Sequence, residues 1–420
     1  MIKPDLGLVA YRILARSLAL LAPFVLKRRL ARGKESAERW QEKLGQSGLA
    51  RPRGRLIWLH GVGLGEVMAL RGIVLALHAS EPDLNFLITS STRRSAEVIA
   101  KSGLPNTQHQ FLPLDAPVFL KRFFDHWQPD LVIWSEQDIW PGAIFEASQR
   151  KIAQCYINAR ITEASFVQRR RLRGVYGFSL GQMTLVSAQD VASEARLAQL
   201  GARDFVGRGS LKPAAPALTV DGAELANLGA LLGGRPVLIG ASSHAGDEAE
   251  VIRAMKRLRS EGWLCVLAPR DVGRAETICT ALSAAGLSYV RRSKGELPTP
   301  ETDVFLADSY GEMGLWYALG DVALVGGGFD TIGGHNPWEA VALDTAVLHG
   351  PDTYNFAGDY ELLDSAGGAV AVPAGRLFEA MPMQDSRRLM CEQASKVRDE
   401  AAQHIDSLVA QLLALLRPVQ

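Results

Sequence analysis

The chain has 420 residues, with 46 lysines and arginines against 45 aspartates and glutamates. Apolar residues make up 47% of it and charged residues 22%, which excludes disordered, collagen-like and coiled-coil proteins and, at this length, favours two domains. The four cysteines show no Cys-x-x-Cys or Cys/His clustering, which argues against a disulfide framework and a structural zinc site.

The charge is unevenly distributed along the chain. Residues 1–210 hold 29 lysines and arginines against 18 aspartates and glutamates, whereas residues 211–420 hold 17 against 27. We therefore expect the N-terminal half to attract an anionic partner or an anionic membrane surface. We expect no nucleic-acid partner.

Residues 1–35 form an apolar segment with basic flanks. Its longest uncharged apolar stretch, residues 18–26, is far shorter than the ~20 residues needed to span a bilayer. We predict a helix that lies in or dips into the membrane interface, with the bulk of the protein on the cytoplasmic side. The alternative is a surface helix of a soluble domain.

From residue 55 onward, short apolar runs end in polar or glycine-rich clusters and lead into helical patterns. This alternation predicts an α/β chain with two doubly wound, mostly parallel sheets, and ligands bound in the cleft between facing domains at the carboxyl ends of strands. We predict an N-terminal domain over 36–212, a linker over 213–228, a C-terminal domain over 229–385 and a helical segment over 386–420. The runs lie at residues 55–60, 85–89, 130–134, 152–157, 236–239, 263–268, 304–307, 321–325 and 346–349.

Glu66 follows the first run, after glycines at 61, 63 and 65. It is either a solvated residue at a helix N-terminus or a general base placed at a strand end. The glycines favour the second interpretation, because they let a substrate approach the backbone closely.

Two further polar clusters end strands of the N-terminal half. The 135–138 cluster, Ser-Glu-Gln-Asp, is either a helix cap or a functional acid pair. Arg160 follows the 152–157 run and would either clamp a phosphate or carboxylate or form a structural ion pair.

The C-terminal half carries glycine-rich and hydroxyl-rich turns typical of an anion site. Residues 240–244, Gly-Ala-Ser-Ser-His, precede a helix, and the 326–334 segment contains five glycines before His-Asn-Pro-Trp-Glu. Glu339 either completes a capping box with Asn336 or accepts hydrogen bonds from ribose hydroxyls, and the setting favours a nucleotide-sugar site. The sequence lacks a P-loop, a His-Glu-x-x-His motif and an Asp-x-Asp pair. We therefore predict no metal and no cofactor.

These motifs together resemble the Kdo transferases (3-deoxy-D-manno-octulosonic acid transferases of lipopolysaccharide assembly). The resemblance covers nearly the whole chain and is carried by WLHGVGLGE, EQDIWP, INAR, GASSHAGDE, LAPR, DSYGEMGLWYALGDVALVGG, IGGHNPWE and GPDTYNF. It implies the two-domain GT-B fold. It also implies inverting, metal-independent transfer of Kdo from CMP-Kdo to a phosphorylated lipid A precursor on the cytoplasmic face of the bacterial inner membrane.

The resemblance also assigns roles to residues of this sequence. Glu66 corresponds to the general base and Asp138 to the second acidic position, while Gly63, Gly65 and Arg160 lie where the acceptor binds. The positions that correspond to the donor site are Ser242, His244, Pro269, Arg270, Gly311, Glu312, Met313, Gly333, Gly334, Asn336 and Glu339.

The sequence departs from the family pattern mainly in its N-terminal half. Gly63 replaces a Ser, Gln137 and Asp138 replace Thr and Glu, and Gly142 replaces the Asn after Trp-Pro. The alternatives are therefore a GT-B transferase or an epimerase for another nucleotide sugar, or a non-catalytic relative that binds the lipid A precursor.

Overall fold

The computed structural model describes residues 6–137, 139–214 and 216–416. The chain divides into two compact units. Unit 1 comprises residues 1–215 and 401–420, and unit 2 comprises residues 216–400.

Unit 1 is built on a parallel sheet with strand order β3-β2-β1-β4-β5-β6-β7 in the described part of the chain. The central strands are apolar on both faces, as expected where helices cover both sides of a parallel sheet. The strands are β1 (Leu56–His60), β2 (Asn85–Ser90), β3 (Thr107–Phe111), β4 (Leu131–Ser135), β5 (Ala153–Ala159), β6 (Leu185–Ala188) and β7 (Phe205–Arg208).

The helices of unit 1 alternate with these strands after two N-terminal helices. Several begin at side-chain caps, as at Thr92, Thr162 and Asp190, whose oxygens accept hydrogen bonds from backbone N–H groups. The helices are α1 (Leu6–Ala19), α2 (Ala22–Ala31), α3 (Leu64–Ser80), α4 (Arg93–Lys101), α5 (Pro117–Trp127), α6 (Pro141–Gln149), α7 (Glu163–Arg171), α8 (Arg173–Leu180) and α9 (Val191–Leu200).

Unit 2 is also built on a parallel seven-stranded sheet, with strand order β10-β11-β9-β8-β12-β13-β14. Its strands are β8 (Val237–Ser243), β9 (Leu264–Pro269), β10 (Tyr289–Arg291), β11 (Val304–Leu306), β12 (Val322–Val325), β13 (Ala346–His349) and β14 (Ala369–Ala371). Its helices are α10 (Gly222–Leu232), α11 (Ala245–Leu258), α12 (Ala275–Ala284), α13 (Met313–Leu319), α14 (Trp338–Val341), α15 (Ala357–Ala366) and α16 (Leu377–Ala380). Helix α10 begins inside the 213–228 interval that the sequence suggested was a linker and runs past its end.

The predicted pair of doubly wound parallel sheets is confirmed. The strand order reverses between β1 and β4 in unit 1 and between β8 and β12 in unit 2, where the outer strands β10 and β11 are also exchanged. Ligands of such sheets bind beyond the carboxyl ends of strands at this reversal. The candidate site residues are therefore expected at the carboxyl ends of β1 and β4 and of β8 and β12.

The last helix, α17 (Gln384–Leu415), begins in unit 2 and ends in unit 1. Its final turns place Ile405, Leu408, Val409 and Leu412 in the apolar cluster that includes Leu70 of α3. All four side chains are buried. The C-terminal segment thus forms one wall of the core that covers a face of the first sheet.

The N-terminal segment forms two helices, α1 and α2, that meet at a bend of 55°. The sequence predicted a single helix, and the break coincides with Pro23, near the start of α2. In the described part of the chain no single helix is long and apolar enough to cross a membrane. The bent pair of α1 and α2 together is long and apolar enough, by length and composition alone.

Candidate active site

Glu66 lies in the first turn of α3, at the carboxyl end of β1 and at the reversal point of the first sheet. Its Oε2 accepts a hydrogen bond of 2.6 Å from the backbone N–H of Val62, so the carboxylate folds back over the glycine-rich turn. A Cβ on Gly61 would lie 3.2 Å from the Glu66 Cβ, which explains the glycine at that position. Glu66 is partly exposed, as a proton acceptor for an external hydroxyl must be.

His60, the last residue of β1, supports this turn from below. Its Nε2 accepts a hydrogen bond of 3.0 Å from the indole N–H of Trp140, and its Nδ1 lies 2.9 Å from the hydroxyl of Thr89. Because an indole only donates, Nδ1 carries the proton. Burial lowers the pKa of His60 to about 3, which keeps the imidazole neutral.

Glu136 and Asn158 form a second polar cluster at the neighbouring strand ends. Both adopt the left-handed backbone conformation, and the Asn158 amide donates to Oε1 of Glu136 at 3.2 Å. Asn158 also accepts from the backbone N–H of Leu211, so it is held from two sides. The cluster therefore fixes the β4–β5 edge from within.

The other residues suggested for the acceptor side lie around this edge. Gly63 is the N-cap of α3 and Gly65 lies in its first turn. Arg160 directly follows β5 and is partly exposed, and its guanidinium forms no ion pair with any described residue. An arginine in this state is available to an external anion. Asp138 lies outside the described residues.

Asp115 is a site residue that sequence reasoning missed. Its two carboxylate oxygens accept hydrogen bonds of 2.8 Å from Gly142 and Ala143 at the N-terminus of α6. The Tyr11 hydroxyl of α1 donates to the same carboxylate. A Cβ on Gly142 would lie 2.7 Å from Asp115 Oδ1, so the glycine that departs from the family pattern makes room for this carboxylate.

In unit 2, two aspartates brace the glycine-rich turn against helix α11. Asp247 of α11 is buried and accepts hydrogen bonds from the backbone N–H of Gly327 at 2.7 Å and of His244 at 2.9 Å. In return, Asp330 from the turn accepts from Gly246 at 2.8 Å. Some of the backbone amides expected to hold an anion are thus engaged by these carboxylates, which shape the turn.

Beside this brace, His244 and His335 stack, with ring centroids 5.1 Å apart and their Nε2 atoms 2.9 Å apart. Burial and the neighbouring His244 and Arg270 lower the pKa of His335 to about 4. Arg270 directly follows β9, is exposed, and forms no ion pair within the described ranges. The histidine pair therefore lies next to a cation that is open to an anionic ligand.

Glu339 lies close to the same cation. Burial raises the pKa of its carboxyl, although a hydrogen bond with Asn336 and the charge of Arg270 oppose the shift. Asn336 also accepts from the backbone N–H of Trp338, although the N-cap residue of the short helix α14 is Pro337 and has no side-chain cap. The structure therefore does not show the capping box, and the role of Glu339 as an acceptor for ribose hydroxyls stays a prediction.

The remaining donor-site candidates lie on the rims of the same strand ends. Ser242 is the penultimate residue of β8, Pro269 ends β9, and Met313 begins α13. Glu312 is bound by Arg292, at 2.7 Å, and by the Ser309 hydroxyl, so its carboxylate braces α13. The candidate glycines Gly311, Gly333 and Gly334 all have positive φ. A Cβ on Gly333 would lie 2.5 Å from the Tyr354 ring.

Sequence reasoning missed the supporting residues His60, Trp140, Asp115, Asp330 and His335. For His60 the sequence does contain a signal of its supporting role, because a histidine ends an otherwise apolar strand. The partners of Asp115 and Asp330 lie 27 and 84 residues away in sequence, so spacing gave no indication of them.

Two cavities of unit 1 differ in character. One, of about 700 Å³, is lined by residues of the 38–49 segment, of α4 and of β3, away from the carboxyl ends of the strands. The other, of about 490 Å³, lies between α1, α2 and the 112–114 segment and reaches Ser91 and Trp140. In the second, Ser91 is hydrogen-bonded to Val62 and Trp140 to His60, next to the turn that carries Glu66.

Comparisons with known proteins identify the family. A family model described as 3-deoxy-D-manno-octulosonic-acid transferase matches residues 38–215. The transferase of Bordetella pertussis is 33% identical over 373 residues, covering 85% of this chain and 86% of that protein. The transferase of Rickettsia felis is 32% identical over 299 residues, which span 71% of this chain but only 64% of that protein.

Solved structures show the same fold at low identity. A glycosyltransferase from Rickettsia africae has a TM-score of 0.56 at 9% identity, covering 88% of this chain and all of that one. Acinetobacter baumannii MurG has a TM-score of 0.53 at 13% identity, covering 85% of this chain and 100% of that one. These likenesses confirm the GT-B fold class. The match to the Bordetella protein over most of both sequences shows that the chain belongs to the 3-deoxy-D-manno-octulosonic acid transferase family of glycosyltransferases.

Proposed function

We propose that the protein transfers Kdo from CMP-Kdo to a phosphorylated lipid A precursor in lipopolysaccharide assembly, with inversion at the anomeric carbon. The observation that carries this proposal is the carboxylate of Glu66, fixed by the Val62 N–H at the reversal point of the first sheet and partly exposed. The names of the relatives supply the sugar and its reaction class.

Glu66 would act as general base. It accepts the proton of the acceptor hydroxyl while the oxygen forms the new bond to the anomeric carbon of Kdo and the bond to the CMP phosphate breaks. The neutral His60 and the indole of Trp140 hold the turn in place beneath it. General base catalysis contributes about 100-fold to 10,000-fold in rate.

Unit 2 would bind the donor. Negative charge grows on the CMP phosphate as it leaves, and the exposed guanidinium of Arg270, next to the His244–His335 pair, offers compensating charge. Glu339, held by Asn336, would accept hydrogen bonds from the ribose hydroxyls. On the acceptor side, Arg160 would bind a phosphate of the lipid.

We also propose that α1 and α2 place the protein on the cytoplasmic face of an anionic inner membrane. Their outer surface, called here the apolar face, exposes large side chains that no described residue covers, and lysines and arginines follow directly at 27–29. The apolar face consists of Leu6, Val9, Ile13, Leu14, Leu18, Leu20, Leu21, Phe24 and Val25.

The test of the catalytic role is Glu66→Gln in the full-length protein. We expect transfer from CMP-Kdo to a tetra-acylated lipid A precursor to fall about 100-fold to 10,000-fold while CMP-Kdo binding, measured by calorimetry, is retained. The matched control is Glu97→Gln, which changes an exposed carboxylate on α4. Loss of donor binding together with turnover would contradict the assigned role.

A second measurement tests the donor. CMP should raise the melting temperature of the wild-type protein more than UDP at equal concentration, because only the correct nucleotide gains full binding energy. A preference for UDP would favour a transferase or epimerase for another nucleotide sugar.

A further inference from the structure

We propose that the 490 Å³ groove beside α1 and α2 binds one fatty acyl chain of the lipid acceptor and guides the acceptor to Glu66. This inference rests on the proposed function, since it names how that acceptor is recognised. The groove has the volume of an ordinary small-molecule site. Its apolar lining includes Leu18, Leu21, Val25, Leu112, Leu114 and Trp140.

The lining is apolar yet open to solvent. Leu18, Leu21 and Val25 are 55%, 59% and 49% exposed, and Leu114 is 37% exposed. Exposed apolar area costs about 25 cal/mol per Å² relative to burial, so an apolar occupant gains binding free energy here. Because three of these side chains also belong to the apolar face, the groove is continuous with the surface proposed to contact lipid.

The charged residues of the lining specify an anionic amphiphile. Arg29 and Lys43 each bind the carboxylate of Glu35 at 2.6 Å. Burial of Glu35 favours its protonated form, but the hydrogen bonds from Lys43 and Arg29 outweigh burial and hold its pKa below the usual value. Two cations thus share one anion, which leaves a net positive charge where the head group of a bound lipid would lie.

Two other residues of the lining are hydrogen-bonded to the catalytic turn. Trp140 donates to His60 at 3.0 Å, and the backbone N–H of Ser91 donates to the carbonyl of Val62 at 3.3 Å. Val62 in turn holds Glu66. A chain that fills the groove therefore contacts the residues that position the base.

The kinetic experiment compares two acceptors in detergent solution, a tetra-acylated lipid A precursor and its fully deacylated form. Leu114→Trp fills the groove from the loop side, and we expect it to lower the ratio of kcat/KM for the acylated acceptor to that for the deacylated one at least about 10-fold. That factor equals the loss of burial for about two methylene groups. Phe24→Ser, on the apolar face but outside the groove, should leave this ratio unchanged.

A second measurement does not depend on catalysis or on a variant that folds. The wild-type protein is photolysed with a lipid A precursor that carries a diazirine in one acyl chain, and the labelled peptides are sequenced. Labels at Leu18, Leu21 or Val25, at residues 112–114 or at Trp140 support the groove. Labels confined to Leu6, Ile13 and Phe24, or an unchanged acceptor ratio for a folded Leu114→Trp protein, overturn it. Absence of Kdo transfer in the wild type would refute the proposed function, while the labelling pattern would still test the groove.

Discussion

The contact between Asp115 and Gly142 predicts the effect of restoring the family residue at position 142. In Gly142→Asn, the new Cβ would lie 2.7 Å from Asp115 Oδ1 and 2.9 Å from its Cγ, closer than real Cβ atoms approach. The Asp115 side chain must then leave the N-terminus of α6. The backbone N–H groups of Gly142 and Ala143 lose a charged acceptor that now lies 2.8 Å from each of them.

The magnitude follows from those two hydrogen bonds. A hydrogen bond to a charged group contributes about 1.5–3 kcal/mol, and water at the partly open helix end recovers some of this. We therefore expect Gly142→Asn to lower the free energy of unfolding by about 2–4 kcal/mol. For a unit of this size, that corresponds to a fall in Tm of roughly 5–15 °C.

Scanning calorimetry of the full-length protein measures this effect, and a double-mutant cycle with Asp115→Ser isolates its cause. Once Asp115 is truncated, Gly142→Asn should cost less than about 1 kcal/mol, because the clash and the displaced cap are gone. Gly48→Asn is the control, since nothing lies within 4 Å of a Cβ built there. Equal costs of Gly142→Asn in both backgrounds would refute the reasoning.

Three further predictions concern acid stability, the donor site and the C-terminal helix. Burial holds the pKa values of His60 and His109 at about 3, so between pH 6.5 and 3 the unfolded chain binds more protons and stability falls as the pH falls. His109→Gln should flatten the pH dependence of urea unfolding by up to about 1.4 kcal/mol per pH unit, and an unchanged slope would contradict this assignment. Asp247→Asn should weaken CMP binding roughly 10-fold by calorimetry, because the turn at Gly327 loses a charged acceptor; full affinity would show that the brace is not needed. Leu412→Ala should lower the free energy of unfolding by about 2–5 kcal/mol, since Leu412 is 0% exposed. Urea denaturation measures this cost, and Leu389→Ala, at an exposed position, is the control. Equal costs for the two variants would contradict the place of Leu412 in the core.

The central strands were predictable from the sequence because they are apolar on both faces and end in glycines or polar residues. The edge strands were not. Strand β3 reads Thr-Gln-His-Gln-Phe, and its His109 is buried because Ser90 and Arg39, from other parts of the chain, form hydrogen bonds with its ring. The local sequence pattern of a strand does not indicate such partners, because they are distant in sequence.

The residues of the candidate site also divide into those that the sequence predicts and those that it does not. Residues at strand ends, such as Glu66, Arg160 and Arg270, were identifiable because the fold places every strand end of a parallel sheet at one edge. The residues that hold them were not, because their contacts depend on the folded chain. Asp247 illustrates this, since it resembles an ordinary first-turn acid in sequence but accepts hydrogen bonds from a turn 80 residues away.

Helix α17 has a consequence for biosynthesis. The core of unit 1 needs Ile405, Leu408 and Leu412 for one wall, so it stays incomplete until these residues have left the ribosome. Unit 2 is one continuous segment, residues 216–400, and can close its core earlier. The half that is synthesised first is therefore the half that finishes folding last, and it depends on chaperones for longer during translation.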